Sequence, residues 1–116
     1  MNYLIILNDP PYGTERSYNG LRLAQQLARK PEVTLRIFLM ADAANCAKRD
    51  QTTPNGYYNL ERMLGGVVRK GAAVGACGTC MDARGLDADD LLGGVHRSDM
   101  DELCDWTLEA DKVIVF

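Results

Sequence analysis

The stretch that decides the fold is Ala73-Val74-Gly75-Ala76-Cys77-Gly78-Thr79-Cys80-Met81-Asp82-Ala83-Arg84-Gly85-Leu86. Small apolar residues lead into Cys77, which is typical of a short buried strand with other elements packed closely on both faces. After Cys80 the pattern is helical for about a turn and a half, and Gly85 is placed to end the helix. We therefore expect Cys77 at the carboxyl end of a strand, with Gly78 and Thr79 beginning the next helix.

This junction is a favourable place for a reactive sulfur. In parallel α/β sheets, ligands and reactive groups collect at the carboxyl ends of the strands, where helices begin with free backbone N–H groups. Those groups, and the partial positive charge of the helix start, stabilise a thiolate or a persulfide. Cys77 is the predicted sulfur carrier. Cys80, three residues later, is expected to face the same side and to release sulfur as a resolving thiol.

The rest of the chain alternates between strand and helix patterns. The predicted strands are residues 3–7, 33–40, 73–77, 95–96 and 112–116. The predicted helices begin at Thr14 or Ser17, near 42, near 57, at Gly78, at Asp87 and at a capping box that starts with Ser98. This order predicts a single α/β domain over residues 1–116, a three-layer α/β/α fold with a five-stranded, mainly parallel sheet.

Composition excludes several classes of protein. With a net charge of −3 the chain has no broad basic surface, so direct binding of nucleic acid or of an anionic membrane is not expected. The first apolar run, residues 3–7, is too short for a signal peptide and lacks a basic flank. No apolar run approaches the roughly 18 residues that cross a bilayer. We therefore expect a cytoplasmic protein whose four cysteines are reduced thiols.

The Cys-x-x-Cys spacing allows four roles. A structural zinc site needs two more ligands, and only His96, Cys46 and Cys104 remain, so no metal or other cofactor is predicted. A thioredoxin-type redox pair follows an early strand, whereas this pair follows the third. The third role is sulfur transfer, in which one thiolate accepts a sulfane sulfur as a persulfide and passes it on. The fourth is a pair of small buried residues without chemistry.

The two other cysteines are predicted to be structural or ambiguous. Cys104 falls on the apolar face of the last helix, with Met100, Leu103 and Thr107, so we expect it to pack in the core. Cys46 lies in a polar segment, where we expect it to be exposed.

Further candidates for the pocket come from the same predicted edge of the sheet. They are Tyr12, Thr14 and Glu15 in the loop after the first strand, Gly78 and Thr79 at the helix start, Arg84, and the single histidine, His96. Each has an ordinary structural alternative: a proline-rich turn and helix cap for the loop, a solvated side chain for Arg84, and a structural imidazole for His96.

Several segments together resemble the DsrE/DsrF-like family of sulfur-relay proteins. They are residues 8–16 after the first strand, 56–60 before the long helix, the cysteine segment 77–86, and residues 98–103 and 110–113 near the end. The resemblance runs nearly from end to end, and the cysteine segment is its most specific part. It implies a flavodoxin-like α/β/α fold, small homo- or hetero-oligomers such as trimers and hexamers, and sulfur relay through a persulfide.

The resemblance also implies a role for one residue. Counting back from Arg84-Gly85, the family's sulfur-carrying cysteine falls on Cys77, with sulfur donor and acceptor proteins as partners. In characterised branches the relay serves sulfur oxidation or tRNA thiolation, and this chain departs from them by carrying Cys80 as well. The leading hypothesis is a cytoplasmic sulfur-transfer protein. The alternatives are a non-catalytic oligomeric binding or assembly protein and a Cys-x-x-Cys thiol redox protein.

Overall fold

The computed structural model describes residues 1–116 and contains five strands and four α-helices. The strands are β1 (Asn2–Leu7), β2 (Thr34–Leu39), β3 (Ala73–Cys77), β4 (Val95–Ser98) and β5 (Lys112–Val115). The α-helices are α1 (Arg16–Leu27), α2 (Leu60–Arg69), α3 (Gly78–Ala83) and α4 (Met100–Glu109). Two 3₁₀-helices span Ala41–Ala47 and Ala88–Asp90. None of the helices is long and apolar enough to cross a bilayer.

All five strands are parallel and form one sheet in the order β4-β3-β2-β1-β5. From β1 to β4 every step is to the neighbouring strand in the same direction, so right-handed crossovers put α1 and α2 on one face. The connection from β4 to β5 runs back across the sheet and puts α4 on the other face. The predicted α/β class with a five-stranded parallel sheet is confirmed. Its strand order differs from that of flavodoxin, where the second strand lies at an edge.

The two faces of the sheet carry hydrophobic clusters of unequal size. The larger cluster, of 20 buried residues, joins the sheet to α1, α2 and the 3₁₀-helix 41–47. The smaller cluster lies on the α4 face and contains five buried residues: Leu4, Phe38, Cys77, Leu103 and Trp106. Successive strand residues alternate between the two clusters because their side chains point to opposite faces. The α4 layer is therefore held by few buried contacts, and Cys77 lies among them.

The starts of α1 and α2 differ from the predictions. Neither Thr14 nor Ser17 caps α1, because Thr14 Oγ1 donates to Asp9 Oδ2 and Ser17 Oγ donates to the Asp9 carbonyl oxygen. The helix α2 begins later than predicted, where Asn59 Oδ1 accepts a hydrogen bond from the backbone N–H of Arg62 at 3.0 Å. At α1 the difference is the lack of a side-chain cap, and at α2 it is the first residue of the helix; both helices are present as expected.

The start of α4 also differs from the prediction, and this difference affects the candidate functional site. The N-cap is Asp99, whose Oδ1 accepts from the backbone N–H of Glu102 at 2.9 Å, so the capping box predicted from Ser98 is absent. Ser98 is instead the last residue of β4, and its Oγ donates to Glu102 Oε1 at 2.6 Å. The fourth strand thus extends past His96, where it was predicted to end.

Both predictions for the outlying cysteines are wrong. Cys46 is fully buried, because the 3₁₀-helix 41–47 is rich in alanine and packs against α2 and β3, and burial raises the pKa of its thiol to about 12. Cys104 is exposed, because α4 contacts the sheet through Leu103 and Trp106. Residue 104 is turned by about 100° from residue 103 around the helix and points away from the sheet.

Candidate functional site

Cys77 is both the last residue of β3 and the N-cap of α3. The predicted change from strand to helix at this residue is confirmed, and Gly85 lies just past the end of α3 with a φ of +67°. The Cys77 side chain is on the α4 face of the sheet and is 7 % exposed. Its Sγ accepts a hydrogen bond from the backbone N–H of Cys80 at 3.4 Å.

The surroundings of Cys77 favour its thiolate. Burial alone raises the pKa of a thiol, but the hydrogen bonds that the sulfur receives from Cys80 and Thr79 outweigh burial and lower the Cys77 pKa below its ordinary value. Thr79 contributes its hydroxyl, whose Oγ1 lies 3.4 Å from Cys77 Sγ. A lowered pKa at an accessible sulfur is the property that distinguishes a nucleophilic cysteine from a structural one.

Cys80 lies in the first turn of α3 and faces the 3₁₀-helix 41–47. Its Sγ accepts from the backbone N–H of Ala41 at 3.2 Å and lies 3.9 Å from Met40 Sδ. Burial raises the pKa of the Cys80 thiol, and its interaction with the Cys77 side chain raises it further. The two sulfurs are therefore unequal, because their surroundings lower the pKa of Cys77 and raise the pKa of Cys80.

A cleft of about 370 Å³ opens where β3 and β4 end. Its lining residues are Phe38, Cys77, Gly78, Thr79, Arg97, Ser98, Asp99 and Met100. Cys77 and Ser98 are neighbours in register on β3 and β4, so their side chains leave the sheet on the same face. The sulfur of Cys77 is therefore reached from solvent through this cleft, although little of its surface is exposed.

Arg97 supplies the positive charge of the cleft. Asp82 holds its guanidinium with two hydrogen bonds, of 2.7 Å from Nη1 to Oδ1 and 3.0 Å from Nη2 to Oδ2. The guanidinium lies against Gly78, where an added Cβ would be 2.8 Å from Arg97 Cζ. The ion pair with Asp82 raises the Arg97 pKa, and the nearby Cys77 sulfur raises it slightly more. Gly78 thus lets a fixed cation approach the first turn of α3.

Three hydrogen-bonded side chains, those of His96, Ser98 and Glu102, lie on the same face of the sheet as Cys77. Glu102 Oε1 accepts from Ser98 Oγ at 2.6 Å and is also hydrogen-bonded to His96 Nε2. Burial raises the Glu102 pKa, but these two hydrogen bonds outweigh it and lower the pKa. Gly75 makes room for the group, since a Cβ there would be 3.0 Å from Ser98 Cβ and 3.3 Å from His96 Nε2. His96 is therefore close to the cleft, behind Ser98, without lining it.

The loop after β1 lies away from the cleft. Tyr12 packs against the larger cluster, and its Oη donates to Gln51 Oε1 at 2.6 Å. Thr14 is hydrogen-bonded to Asp9, and Glu15 immediately precedes α1. These side chains are at the carboxyl edge of the sheet, as expected, but on its α1 and α2 face.

Arg84 lies nearer to Cys80 than to Cys77. Its Nε donates to Asp42 Oδ1 at 2.8 Å and its Nη1 donates to the Cys80 carbonyl oxygen at 3.1 Å. Its positive charge lowers the Cys80 pKa slightly, against the larger effect of burial. The structure contains no group of three or more His, Cys, Asp and Glu side chains arranged to hold a metal ion.

Among the predicted site residues, the structure brings Cys77, Cys80, Gly78 and Thr79 together at one place. Sequence analysis missed the opposite wall of the cleft, which consists of Phe38, Arg97, Ser98, Asp99 and Met100. The signal that identifies most of this wall is the parallel pairing of β3 with β4, which puts residue 98 beside residue 77.

The pH dependence of alkylation tests the assigned state of Cys77. Because hydrogen bonds lower its pKa, iodoacetamide should reach half of its maximal rate at Cys77 below the pH that is usual for a thiol, and Cys80→Ala should move that midpoint upward. Cys80→Ser is the matched control, since its hydroxyl keeps a polar hydrogen at the position of the Cys80 thiol. The rate is followed by peptide mass spectrometry. Identical profiles for Cys80→Ala and the parent chain would contradict the assignment.

Comparison with known proteins gives consistent matches over the whole chain. A model of the DsrE/DsrF-like family matches residues 1–116. The chain is 40% identical to protein YchN of Escherichia coli strain K12 over 114 residues, which covers 97% of each chain. It is 37% identical over 112 residues to the uncharacterized protein MK0008 of Methanopyrus kandleri, covering 97% of this chain and 91% of that one.

Solved structures agree with these matches. The crystal structure of the E. coli ychN protein has a TM-score of 0.93 to this chain at 40% identity, covering 99% of this chain and 98% of that chain. MTH1491 of Methanobacterium thermoautotrophicum, a protein of unknown function, has a TM-score of 0.77 at 18% identity over 99% of this chain and 98% of its own. The second likeness extends the shared fold to a distant sequence.

Proposed function

The chain belongs to the DsrE/DsrF-like family, membership of which indicates a role in sulfur metabolism, and on that premise we propose that it transfers sulfane sulfur through a persulfide on Cys77. The observation that supports the proposal is the environment of the Cys77 sulfur. It lies at the start of α3, accepts the Cys80 N–H at 3.4 Å, and borders a cleft of about 370 Å³. A stabilised thiolate that a donor can reach is the requirement for this chemistry.

The proposed transfer consists of two exchange steps at sulfur. The Cys77 thiolate attacks the outer sulfur of a donor persulfide, the donor's S–S bond breaks, and the donor leaves as a thiolate. An acceptor thiolate then attacks the same sulfur, and Cys77 leaves as a thiolate. Each step forms one S–S bond and breaks one, so there is no net oxidation. Arg97 offsets the negative charge that the persulfide carries into the cleft.

The partners follow from this chemistry and from the family resemblance. We propose sulfur donor and acceptor proteins, each presenting a persulfide or a thiol to the cleft. The proposal requires a reducing compartment such as the cytoplasm, because free thiols persist there.

The experiment that tests the proposal uses a chain with Cys80→Ser and Cys104→Ser. In this variant Cys77 is the single reachable cysteine, because Cys46 is fully buried. After incubation with cysteine persulfide, intact-mass spectrometry should show the gain of one sulfur atom per chain, and a dithiol should remove it. A variant that stays at its starting mass under these conditions would overturn the proposal.

We also propose that the chain forms a homo-oligomer through the α4 face of the sheet, where the hydrophobic cluster is small. Leu108 of α4 and Val113 and Val115 of β5 are 79%, 42% and 61% exposed, and both valines pair in register with β1 on that face. A second copy would bury this apolar surface. Native mass spectrometry should show an oligomer that Val115→Glu weakens, because the substitution puts a charge into the interface. A parent chain that is monomeric at micromolar concentration would contradict this expectation.

A further inference from the structure

We infer that Cys80 resolves the persulfide on Cys77 and releases the sulfur as sulfide, so that the chain acts as a sulfane-sulfur reductase in addition to being a carrier. The inference rests on the proposed persulfide and adds a different reaction to it. It assigns the second cysteine an electron-transfer role in place of a structural one.

The first argument is that the Cys77 and Cys80 sulfurs lie on different sides of the site, and only Cys77 lines the cleft. Cys77 lines the cleft, whereas Cys80 does not and lies on the side of Met40 and Ala41. We therefore expect a sulfur atom added to Cys77 to extend into the cleft, with Cys80 on the opposite side of the bond that must break. Attack at Cys77 Sγ from behind, with the leaving sulfur in open space, is the arrangement that displacement at sulfur needs.

The second argument is that two groups beside Cys80 oppose the effect of burial, which raises the pKa of its thiol. Its Sγ accepts the backbone N–H of Ala41 at 3.2 Å, and Ala41 is one of two non-glycine residues with a positive φ, here +53°. The Arg84 guanidinium, which donates to the Cys80 carbonyl oxygen at 3.1 Å, adds a positive charge nearby. These groups stabilise the negative charge that forms on Cys80 when its proton leaves.

Cys46 provides an internal comparison. It is also buried, and burial raises the pKa of its thiol, whose Sγ donates to the carbonyl oxygen of Asp9 at 3.8 Å. The structural cysteine thus donates to an oxygen, whereas the sulfur of Cys80 receives an N–H. A cysteine that only fills space in the core does not require a backbone N–H that donates to its sulfur.

The reaction balances without a further reagent. The Cys80 thiol loses its proton and its thiolate attacks Cys77 Sγ. The bond from Cys77 Sγ to the outer sulfur breaks, and that sulfur leaves with the electron pair and the proton as HS⁻. The outer sulfur is reduced by two electrons, and the two cysteines are oxidised to the Cys77–Cys80 disulfide. A second turnover requires an external dithiol, which reduces this disulfide by thiol–disulfide exchange.

Spacing permits the product disulfide. Residues three apart lie on the same side of a helix turn, and thiol pairs with this spacing at a helix start form disulfides in Cys-x-x-Cys oxidoreductases. The backbone N–H of Cys80 is already hydrogen-bonded to Cys77 Sγ at 3.4 Å, so the first turn of α3 holds the two residues together.

A single-turnover experiment tests the inference. Three reduced chains, Cys104→Ser alone and the same chain with Cys80→Ser or with Cys77→Ser, each receive one equivalent of cysteine persulfide without added thiol. The chain that retains both cysteines should release close to one equivalent of sulfide, trapped with monobromobimane, and should lose the mass of two hydrogens. The Cys80→Ser chain should keep one added sulfur and release at least about tenfold less sulfide. Cys77→Ser measures the background from the donor.

The outcomes separate the two proposals. If the chain with both cysteines keeps the added sulfur and yields no more sulfide than Cys80→Ser, the reductase inference fails and the carrier proposal stands. If Cys80→Ser takes up no sulfur, the carrier proposal fails and the inference fails with it. The donor's own thiolate forms in both chains, so a difference between them reports on Cys80 alone.

Discussion

Replacing Cys77 by serine is expected to abolish sulfur uptake, lowering its rate by at least about 100-fold, because a serine hydroxyl is not ionised at neutral pH and is a poor nucleophile towards sulfur. Cys80 does not substitute for it. Burial keeps the Cys80 pKa high, and the side chain does not line the cleft. The substitution is nearly isosteric, and the Cys80 N–H can still donate to the new hydroxyl, so the first turn of α3 should be retained.

The measurement is intact-mass spectrometry after incubation with cysteine persulfide, in the Cys104→Ser background. Cys46→Ala is a matched control that removes a buried cysteine, and its uptake should equal that of the background. Circular dichroism and thermal unfolding establish that each variant is folded. Uptake that persists in a folded Cys77→Ser chain would show that the sulfur carrier is another residue.

Replacing Phe38 by alanine is expected to lower the free energy of unfolding by about 3–5 kcal/mol. Phe38 is fully buried and belongs to the five-residue cluster on the α4 face, where its ring meets Trp106 edge-on at a centroid distance of 6.3 Å. Loss of the ring leaves a cavity that this small cluster cannot fill. It also removes one wall of the cleft beside Cys77.

Urea unfolding followed by circular dichroism measures the change, at one fixed chain concentration because an oligomer makes stability depend on concentration. Phe38→Leu is the graded control, and it should cost much less than Phe38→Ala because most of the buried volume is kept. Equal stability of the alanine variant and the parent chain would show that the α4 face contributes little to the fold.

The position of Cys77 could be predicted because every signal for it is local. Small apolar residues occupy β3, Gly85 ends α3, and the chain between them is too short for any other arrangement. The parallel alternation of strands and helices then puts Cys77 at the carboxyl edge of the sheet, with no information from distant residues.

The opposite wall of the cleft depends on strand order, which local patterns do not contain. The strand β4 has four residues and lies at the edge of the sheet, with His96 and Arg97 exposed, so no hydrophobic alternation marks where it ends. Without that end point, Ser98 cannot be paired with Cys77, and the contact of Arg97 with Gly78 cannot be anticipated.

The predictions for the burial of Cys46 and Cys104 were wrong for a related reason. An amphipathic helix of ten residues such as α4 can be turned by one position with little change in its apparent apolar face, and this turn decides whether Cys104 is buried or exposed. The environment of Cys46 depends on how an alanine-rich 3₁₀-helix packs between two other elements. Tertiary contacts decide both cases.

The two faces of the sheet differ in how many buried residues they contain, and the cleft with Cys77 lies on the face that has fewer. Twenty buried residues form the cluster on the α1 and α2 face of the sheet. The rim of the cleft on the other face includes the exposed side chains of Thr79, Asp99 and Met100. Under the proposed function, we expect substitutions at that rim to change which sulfur compound enters the cleft without removing buried apolar area. A scaffold of this kind is free to diverge in substrate preference while its architecture stays the same.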